Sequence, residues 1–218
     1  MSAARPRQTK RGRFITFEGG EGAGKSTQIA LLAAKLKAAG IPVLTTREPG
    51  GAPGAEEIRA LLVTGAPGRW QKISEALLHF AARAEHLAHT VHPALAAGTW
   101  VLCDRFADST MAYQGYGHRL GRAPVLALYR LVVGAFKPDM TLILDLPVRA
   151  GLARAVGRGG ADRYERMGLA FHERVRRGFH DIARREPGRC AIVSAEGEVG
   201  VVAARIAQVV AQRCKVTM

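Results

Sequence analysis

The sequence predicts an α/β fold in which a five-stranded parallel sheet forms the middle layer and helices cover both of its faces. Three observations support this fold class. Short apolar runs alternate along the chain with longer stretches of helical spacing, which is the pattern of proteins with a parallel sheet. A glycine-rich turn directly follows the first apolar run. Charged residues follow other runs, as expected where ligands meet the carboxyl ends of parallel strands.

The predicted elements follow from apolar spacing and from the positions of Gly and Pro. Strands are expected at 14–17, 41–45, 99–103, 140–146 and 190–194. Helices are expected from 25 to Gly40, at 55–63, 73–97, 108–116 and 123–136, after Pro147, and at 164–185 and 199–213. The helix at 73–97 is expected to bend or break near Pro93, because proline removes a helical hydrogen bond.

The turn after the first strand fits the pattern G-x-x-x-x-G-K-[ST] of a phosphate-binding loop. Glycines let consecutive N–H groups point at phosphate oxygens, and the following helix adds its positive N-terminus. The Lys25 ammonium is expected to reach the β and γ phosphates, and the Ser26 hydroxyl to bind Mg²⁺. An ordinary glycine-rich turn is the alternative. The predicted nucleotide-binding residues of the loop are Gly19, Gly20, Glu21, Gly22, Ala23, Gly24, Lys25, Ser26 and Thr27.

The composition favours one globular domain. The chain has 218 residues and is 48% hydrophobic, enough for one substantial core. Residues 13–218 are expected to form a single domain, and the basic residues 1–12 a disordered tail. No apolar run approaches the roughly 18 residues of a membrane span or resembles a secretory signal, so we expect a cytoplasmic protein without a membrane partner. Cys103, Cys190 and Cys214 are widely spaced, which favours reduced thiols.

The net charge of +14 raises the question of a nucleic-acid partner. The charge is concentrated in the tail and in residues 149–189, where it also suits a polyphosphate ligand. An aromatic content of 6% gives little support for base-stacking surfaces. We therefore expect no nucleic-acid partner, and a nucleic-acid-binding ATPase is the alternative from another functional class.

Five tracts carry the remaining functional signal. They are FEGGEGAGKST at 17–27, TREPGG at 46–51, FAAR at 80–83, DRF at 104–106 with ST at 109–110 and YQG at 113–115, and LDL at 144–146 with DRYE at 162–165. In this order they resemble the thymidylate kinase family of P-loop kinases, although Ala52 departs from the threonine usual there. The resemblance implies a three-layer P-loop kinase fold with a mobile lid at about 153–165. It also implies a homodimer that transfers the γ-phosphoryl of ATP to dTMP, giving dTDP for DNA precursor synthesis.

The resemblance assigns a base site to the middle of the chain. Phe80 is expected to stack on thymine, while Arg83 and Thr110 hydrogen-bond its edge. Tyr113 is expected to crowd the sugar 2′ position and so favour deoxyribose. The alternatives are a core position for Phe80, a surface ion pair for Arg83 and a packing role for Tyr113. The implied substrate-binding residues are Glu18, Arg47, Phe80, Arg83, Arg105, Ser109, Thr110, Tyr113 and Gln114.

The resemblance also assigns the residues around the transferred phosphoryl group. Glu18 is expected to meet the acceptor sugar hydroxyl and the metal region, and Arg47 and Arg105 to hold the acceptor phosphate, which suits a planar guanidinium. Asp104 is expected to hold Mg²⁺ with Ser26; Asp145 could compete, but a helix cap is its simpler role. No general base is required, because the acceptor phosphate is already ionised. The implied catalytic residues are Lys25, Arg105, Arg158 and Glu18.

The lid prediction rests on a missing arginine. No arginine occupies positions 20–23 of the loop, so the resemblance is to the subtype with an arginine in the lid. Arg158 is expected to meet the charge of the transferring phosphoryl, and Arg154, also an implied nucleotide-binding residue, is the second candidate. A solvated surface charge is the alternative for Arg158. The nearest alternative function is a P-loop kinase for a nucleoside or another nucleoside monophosphate.

Overall fold

The computed structural model describes residues 11–156 and 163–218. Within them, five parallel strands form one sheet in the order β2-β3-β1-β4-β5. The strands are β1 (Phe14–Gly19), β2 (Val43–Arg47), β3 (Trp100–Asp104), β4 (Met140–Asp145) and β5 (Cys190–Ser194). The predicted five-stranded parallel sheet is confirmed, and each strand lies within two residues of its expected bounds.

Helices connect the strands and cover the sheet. They are α1 (Lys25–Ala38), α2 (Pro53–Val63), α3 (Lys72–His86), α4 (His92–Ala96), α5 (Ala107–Thr110), α6 (Arg122–Val132), α7 (Val148–Val156), α8 (Leu169–Arg185) and α9 (Val199–Cys214). Two π-helical segments, Leu87–Val91 and Met111–Gly117, follow α3 and α5. None of these described helices is long and apolar enough to span a membrane.

The bounds of several expected helices differ from the structure. The irregularity expected near Pro93 is the π-helical segment Leu87–Val91, which ends two residues before it. Pro93 itself stands in the first turn of α4. Helix α6 ends at Val132 instead of 136, because Gly134 adopts a left-handed φ of 65°.

Two apolar layers hold the helices against the sheet. The layer between the sheet and α1 and α9 includes Leu142 and Ile206, and the layer beneath α3, α6 and α8 includes Phe14 and Phe106. These side chains are at most 1% exposed, and each large apolar side chain buried in this way contributes about 1.5–3 kcal/mol. Since the layers cover the two faces, the carboxyl ends of the strands are left for the functional residues.

Arg11 and Gly12, which belong to the expected tail, already contact the folded domain. Arg11 Nη1 lies 3.3 Å from Asp139 Oδ2, and the Gly12 N–H donates to the Leu95 carbonyl at 2.9 Å. The described contacts with the domain therefore begin two residues before the expected boundary.

Candidate active site

The ends of β1 and β3 bring the glycine-rich turn and Arg105 to one place. The two strands pair with Phe17 opposite Asp104, and the Arg105 N–H donates to the Phe17 carbonyl at 2.9 Å. A cavity of about 100 Å³ opens beside this junction, and we call it the main cavity. Its polar lining consists of Glu21, Glu48, Arg59, His79, Arg83, Arg105, Ser109, Thr110, Tyr113, Gln114 and Tyr164.

The glycine-rich turn has the backbone of a phosphate-binding loop. Gly19 has a φ of 133°, and a Cβ there would lie 2.4 Å from the Leu144 carbonyl oxygen, so the close approach of β1 to β4 requires glycine. Lys25 begins α1, and its Nζ lies 3.0 Å from the Gly20 carbonyl and 3.3 Å from that of Gly19. Burial lowers the pKa of Lys25. The two carbonyl contacts hold the ammonium against the loop backbone.

The two predicted metal ligands contact each other. Ser26 Oγ donates to Asp104 Oδ2 at 2.7 Å. Hydroxyl and carboxylate oxygens suit Mg²⁺, which typically takes one or two protein oxygens together with phosphate and water, so the pair fits the expected ion. Asp145, the other candidate, is paired with Arg176 through hydrogen bonds of 2.8 and 2.9 Å. The described residues contain no cluster of three or more His, Cys, Asp or Glu side chains that could bind a metal alone.

Arg105 is the central cation of the junction. Its φ of 70° is unusual for a residue with a side chain. The guanidinium donates to the Gly19 carbonyl at 3.0 Å, to Ser109 Oγ at 3.1 Å and to Glu21 Oε1 at 3.0 Å. It also lies 4.9 Å from the centre of the Tyr113 ring. These contacts orient Arg105 in the wall of the main cavity before any phosphate binds.

Glu21 is the acidic residue of the loop that reaches the main cavity. Its Oε1 accepts a hydrogen bond from the Tyr113 hydroxyl at 2.6 Å in addition to that from Arg105. Burial alone would raise the pKa of Glu21, but the charges of Arg105 and Lys25 outweigh it and lower the pKa to about 2. The cavity wall next to the loop therefore contains a fixed carboxylate. The sequence assigned Glu21 only to nucleotide binding.

Glu18, the expected acceptor-binding acid, is absent from the described lining of the main cavity. It is fully buried, and its carboxylate accepts hydrogen bonds from the Phe106 N–H at 2.7 Å and from Ser109 Oγ at 2.5 Å. Burial and the nearby charge of Asp108 raise the pKa of Glu18 to about 8. The structure does not place Glu18 with the cavity residues, because its side chain faces α5 and holds the turn that carries Arg105.

Phe80, the expected stacking residue, lies in the core. Its side chain is 1% exposed, and the Arg83 guanidinium lies 4.6 Å from its ring centre. The neighbouring His79 lines the main cavity and hydrogen-bonds to the Tyr164 hydroxyl at 2.8 Å. Successive residues of a helix point about 100° apart, so the packing of α3 turns His79, and not Phe80, toward the cavity. The structure places Phe80 in the core, which is the alternative given for it above.

Arg83 and Gln114 each leave one polar atom without a partner. Arg83 Nε donates to Glu48 Oε2 at 2.8 Å and Nη2 to Thr110 Oγ1 at 3.0 Å. Gln114 Nε2 donates to Glu75 Oε1 at 2.7 Å. Within the described part of the chain, Arg83 Nη1 and Gln114 Oε1 are buried and have no hydrogen-bond partner. Such groups cost about 1–3 kcal/mol each, so the main cavity offers a donor and an acceptor that a ligand would satisfy.

Arg47, expected to hold the acceptor phosphate, lines a different surface depression, beside Asp104. Its Nη2 lies 3.1 Å from Glu56 Oε2, and its side chain is 55% exposed. In the described lining of the main cavity its place is taken by Arg59, which donates to the Pro49 carbonyl at 2.8 Å. The structure does not bring Arg47 to the main cavity, because its guanidinium pairs with Glu56.

The expected lid is described only in part. Arg158 lies outside the described residues. Arg154 Nη1 lies 3.3 Å from the Ala195 carbonyl oxygen. At the other end, Arg163 and Tyr164 are buried and form part of the packing around α3. They precede α8, which begins at Leu169 instead of 164.

Known proteins are similar to this chain in sequence and in fold. A family model described as thymidylate kinase matches residues 17–206. The chain is 58% identical over 202 residues to the thymidylate kinase of Caulobacter vibrioides, covering 93% of this chain and 97% of the relative. The chain belongs to the thymidylate kinase family. It is also 52% identical over 199 residues to the thymidylate kinase of Afipia carboxidovorans, covering 90% of this chain and 87% of that one. The thymidylate kinase from Ehrlichia chaffeensis matches its structure with a TM-score of 0.75 and 35% identity, covering 92% of this chain and 99% of that chain.

Membership of the thymidylate kinase family confirms the resemblance seen in the sequence and makes the chain an ATP-dependent nucleoside monophosphate kinase, a phosphotransferase. Sequence reasoning missed His79, Glu75 and Arg59 as residues in or next to its cavity. A signal for the first two was present: Glu75, His79 and Arg83 are four residues apart and so share one side of α3. Arg59 gave no comparable signal.

Proposed function

We propose that this chain transfers the γ-phosphoryl of ATP to dTMP, and that the main cavity binds dTMP. The observation that carries the proposal is the pair of buried atoms, Arg83 Nη1 and Gln114 Oε1, that lack a partner among the described residues. Thymine presents a carbonyl acceptor at C4 beside an N3–H donor, so one atom of the cavity matches each. Cytosine presents an amino donor beside an N3 acceptor and mismatches both. The product, dTDP, is a DNA precursor.

The base is expected to lie against His79. Burial lowers the pKa of His79 to about 3 in spite of the opposing charge of Glu75, so the imidazole is neutral at pH 7. A neutral aromatic ring can stack on a pyrimidine. Tyr113, whose hydroxyl is fixed by Glu21 at 2.6 Å, is proposed to face the sugar and to crowd a 2′ hydroxyl.

The acceptor phosphate is assigned to Arg105, Arg59 and Ser109, which line the cavity. Of these, Arg105 contacts the phosphate-binding loop at the Gly19 carbonyl and donates to Ser109 Oγ. Lys25 and the loop amides hold the β and γ phosphates of ATP. An ionised acceptor oxygen needs no proton removal, so the residues contribute alignment and charge neutralisation. Arg158 and Arg154 are proposed to supply further positive charge.

Mg²⁺ is the proposed cofactor, with Ser26 and Asp104 as its protein ligands. Their 2.7 Å contact supports the assignment, since it brings two hard oxygen ligands together next to the loop. The ion would neutralise charge on the ATP phosphates. The end of β3 fixes Asp104, and the first turn of α1 fixes Ser26.

We also propose that residues 13–218 act as one kinase domain and that two copies form a cytoplasmic homodimer through α3 and α6. Ile73 and Leu77 of α3 are 43% and 49% exposed, and Leu131 of α6 is 81% exposed. Large exposed apolar side chains on two helices are what a subunit interface covers. Analytical ultracentrifugation should find a dimer that Leu131→Arg weakens, and a wild-type monomer would reject the proposal.

A coupled assay of ADP release tests the activity. Wild type is measured with dTMP, dCMP and thymidine as acceptors, and Lys25→Ala serves as the inactive control. We expect dTMP to exceed dCMP in kcat/KM by at least about tenfold, since one mismatched buried hydrogen bond costs about 1–3 kcal/mol. Transfer to thymidine but not to dTMP would indicate a nucleoside kinase. ATP hydrolysis that depends on nucleic acid, without transfer to dTMP, would indicate the other functional class.

A further inference from the structure

Glu75 is a buried acid that does not line the main cavity but contacts residues that do. It is 1% exposed, and its Oε1 accepts hydrogen bonds from Gln114 Nε2 at 2.7 Å and from the Tyr164 hydroxyl at 3.1 Å. His118 Nε2 lies 3.3 Å from the same oxygen. The other oxygen, Oε2, lies 2.5 Å from Arg163 Nη2. An ion pair with Arg163 uses only one of the two oxygens, and the second is left to fix its neighbours.

The contact with Gln114 decides which end of its amide faces the cavity. With Nε2 held by Glu75, the carbonyl Oε1 is the free end, and it has no partner among the described residues. A flip of the amide would place that carbonyl against the Glu75 carboxylate, so that two acceptors, one of them charged, would meet in a buried site. The flipped amide would also present its NH₂ group to the ligand.

The protonation state of Glu75 supports the same orientation. Burial would raise the pKa of Glu75, but the nearby His118 ring, the hydrogen bond from Gln114 and the charge of Arg163 outweigh it and lower the pKa to about 2. An ionised carboxylate can only accept hydrogen bonds. The group that faces Gln114 is therefore an acceptor at every pH at which the enzyme would work.

We propose that Glu75 is a positioning residue that fixes the Gln114 amide with its carbonyl toward the base, and that it thereby selects thymine over cytosine. The inference rests on the proposed function of the main cavity. Thymine offers an N3–H donor to the carbonyl, whereas cytosine offers an N3 acceptor that only the flipped amide would match. The residue that determines which base is selected then lies outside the cavity lining and acts through Gln114.

Glu75→Gln is the direct test, because the contact with Arg163 determines the orientation of the new amide. Arg163 donates to the position of Oε2, so the carbonyl of the substituted side chain will take that position and its NH₂ group will face Gln114. Gln114 then flips, and its own NH₂ group faces the base. We expect the ratio of kcat/KM for dTMP to that for dCMP to fall about 10- to 100-fold, the range for exchanging a matched for a mismatched buried hydrogen bond. Glu57→Gln, on the exposed side of α2, removes the same charge and should leave the ratio unchanged.

A double-mutant cycle separates positioning from general support of the fold. In a Gln114→Leu background no amide is left to orient, so adding Glu75→Gln should no longer change the ratio. If Glu75→Gln alone does not fold, Glu75→Gln with Arg163→Met leaves no charge unpaired. Nothing then fixes the new amide, so Gln114 can lie either way round and the ratio should still fall about tenfold. Equal changes for dTMP and dCMP, or an effect that persists in Gln114→Leu, would overturn the inference. Absence of dTMP phosphorylation by wild type would instead reject the proposed function.

Discussion

Replacement of Arg83 by alanine tests the base site and the network behind it in one variant. Arg83 Nη1 is the donor that we assign to the C4 carbonyl of thymine, and the described contacts of the guanidinium are with Glu48, Thr110 and two aromatic rings. Leaving a buried carbonyl unpaired costs about 1–3 kcal/mol. The dissociation constant for dTMP should therefore rise about 5- to 150-fold, and that for ATP should change little.

The same variant should also lose stability. Glu48 is 5% exposed and loses the hydrogen bond from Arg83 Nε, but it keeps the one from His86 Nδ1 at 3.0 Å. Breaking a buried ion pair by removing one partner costs about 3–5 kcal/mol. Because Glu48 keeps its contact with His86, we expect a loss of stability at the lower end of that range, about 3 kcal/mol. Domains are typically stable by about 5–15 kcal/mol, so the variant should fold at 25 °C.

Titration calorimetry with dTMP and ATP separately, together with urea unfolding, measures both effects. Arg189→Ala is the matched control, because Arg189 pairs with Asp108 at 2.6 Å and is only 12% exposed, yet it lines a different groove. It should lose comparable stability and keep its affinity for dTMP. Equal weakening of dTMP and ATP binding by Arg83→Ala, or unchanged dTMP binding, would refute the base-site assignment.

Four further variants test other parts of the site. Lys25→Ala should lower kcat by at least about 100-fold, as removal of one preorganised charge-stabilising donor does, while melting stays cooperative; more than about a tenth of wild-type turnover would contradict the phosphate-binding loop. Phe80→Ala should cost about 3–5 kcal/mol of stability as a core truncation. The paired variant His79→Ala should raise the KM for dTMP at little cost in stability. The opposite pattern in melting and kinetics would support Phe80 as the stacking residue. Glu18→Gln tests the pH dependence of stability. The pKa of Glu18 in the folded state, about 8, lies above the unfolded value of 4.5, so wild type loses stability as pH rises from 4.5 through 8. The glutamine of the variant cannot ionise and shows no such loss. The free energy of unfolding of the variant, relative to that of wild type, should therefore rise by up to about 1.4 kcal/mol per pH unit in that range. If the two proteins differ in urea midpoint by the same amount at pH 5.5 and at pH 8, Glu18 does not bind a proton in the folded state.

For some expected site residues, the position of the side chain follows directly from its place in the backbone. Lys25 and Ser26 stand where the loop becomes a helix, and Asp104 ends the neighbouring strand. Their positions depend on the pairing of β1 with β3 and on no fine detail of packing. Ser26 and Asp104 meet at 2.7 Å for that reason.

Other expected site residues are neighbours in sequence of the side chains that reach the cavity. The resemblance named Phe80 as the stacking residue and Glu18 as the acceptor-binding acid, whereas His79 and Glu21 line the main cavity. In each pair both residues are next to the site in sequence, and only one side chain reaches the cavity. Arg47 is absent from the described cavity lining for a related reason, since its partner Glu56 lies on α2, an element whose placement the local pattern does not give.

The sequence by itself determined the layered fold and the phosphate-binding loop. Apolar periodicity is a local property, and the loop is one short segment whose glycines set its own backbone. Only the tertiary structure decided which neighbouring side chain enters the cavity and how Glu75, Arg163 and Gln114 meet. Adjacent side chains lie about 100° apart on a helix and on opposite faces of a strand. The choice between them is therefore made by the sum of many weak packing contacts with residues distant in sequence, and no local pattern contains that sum.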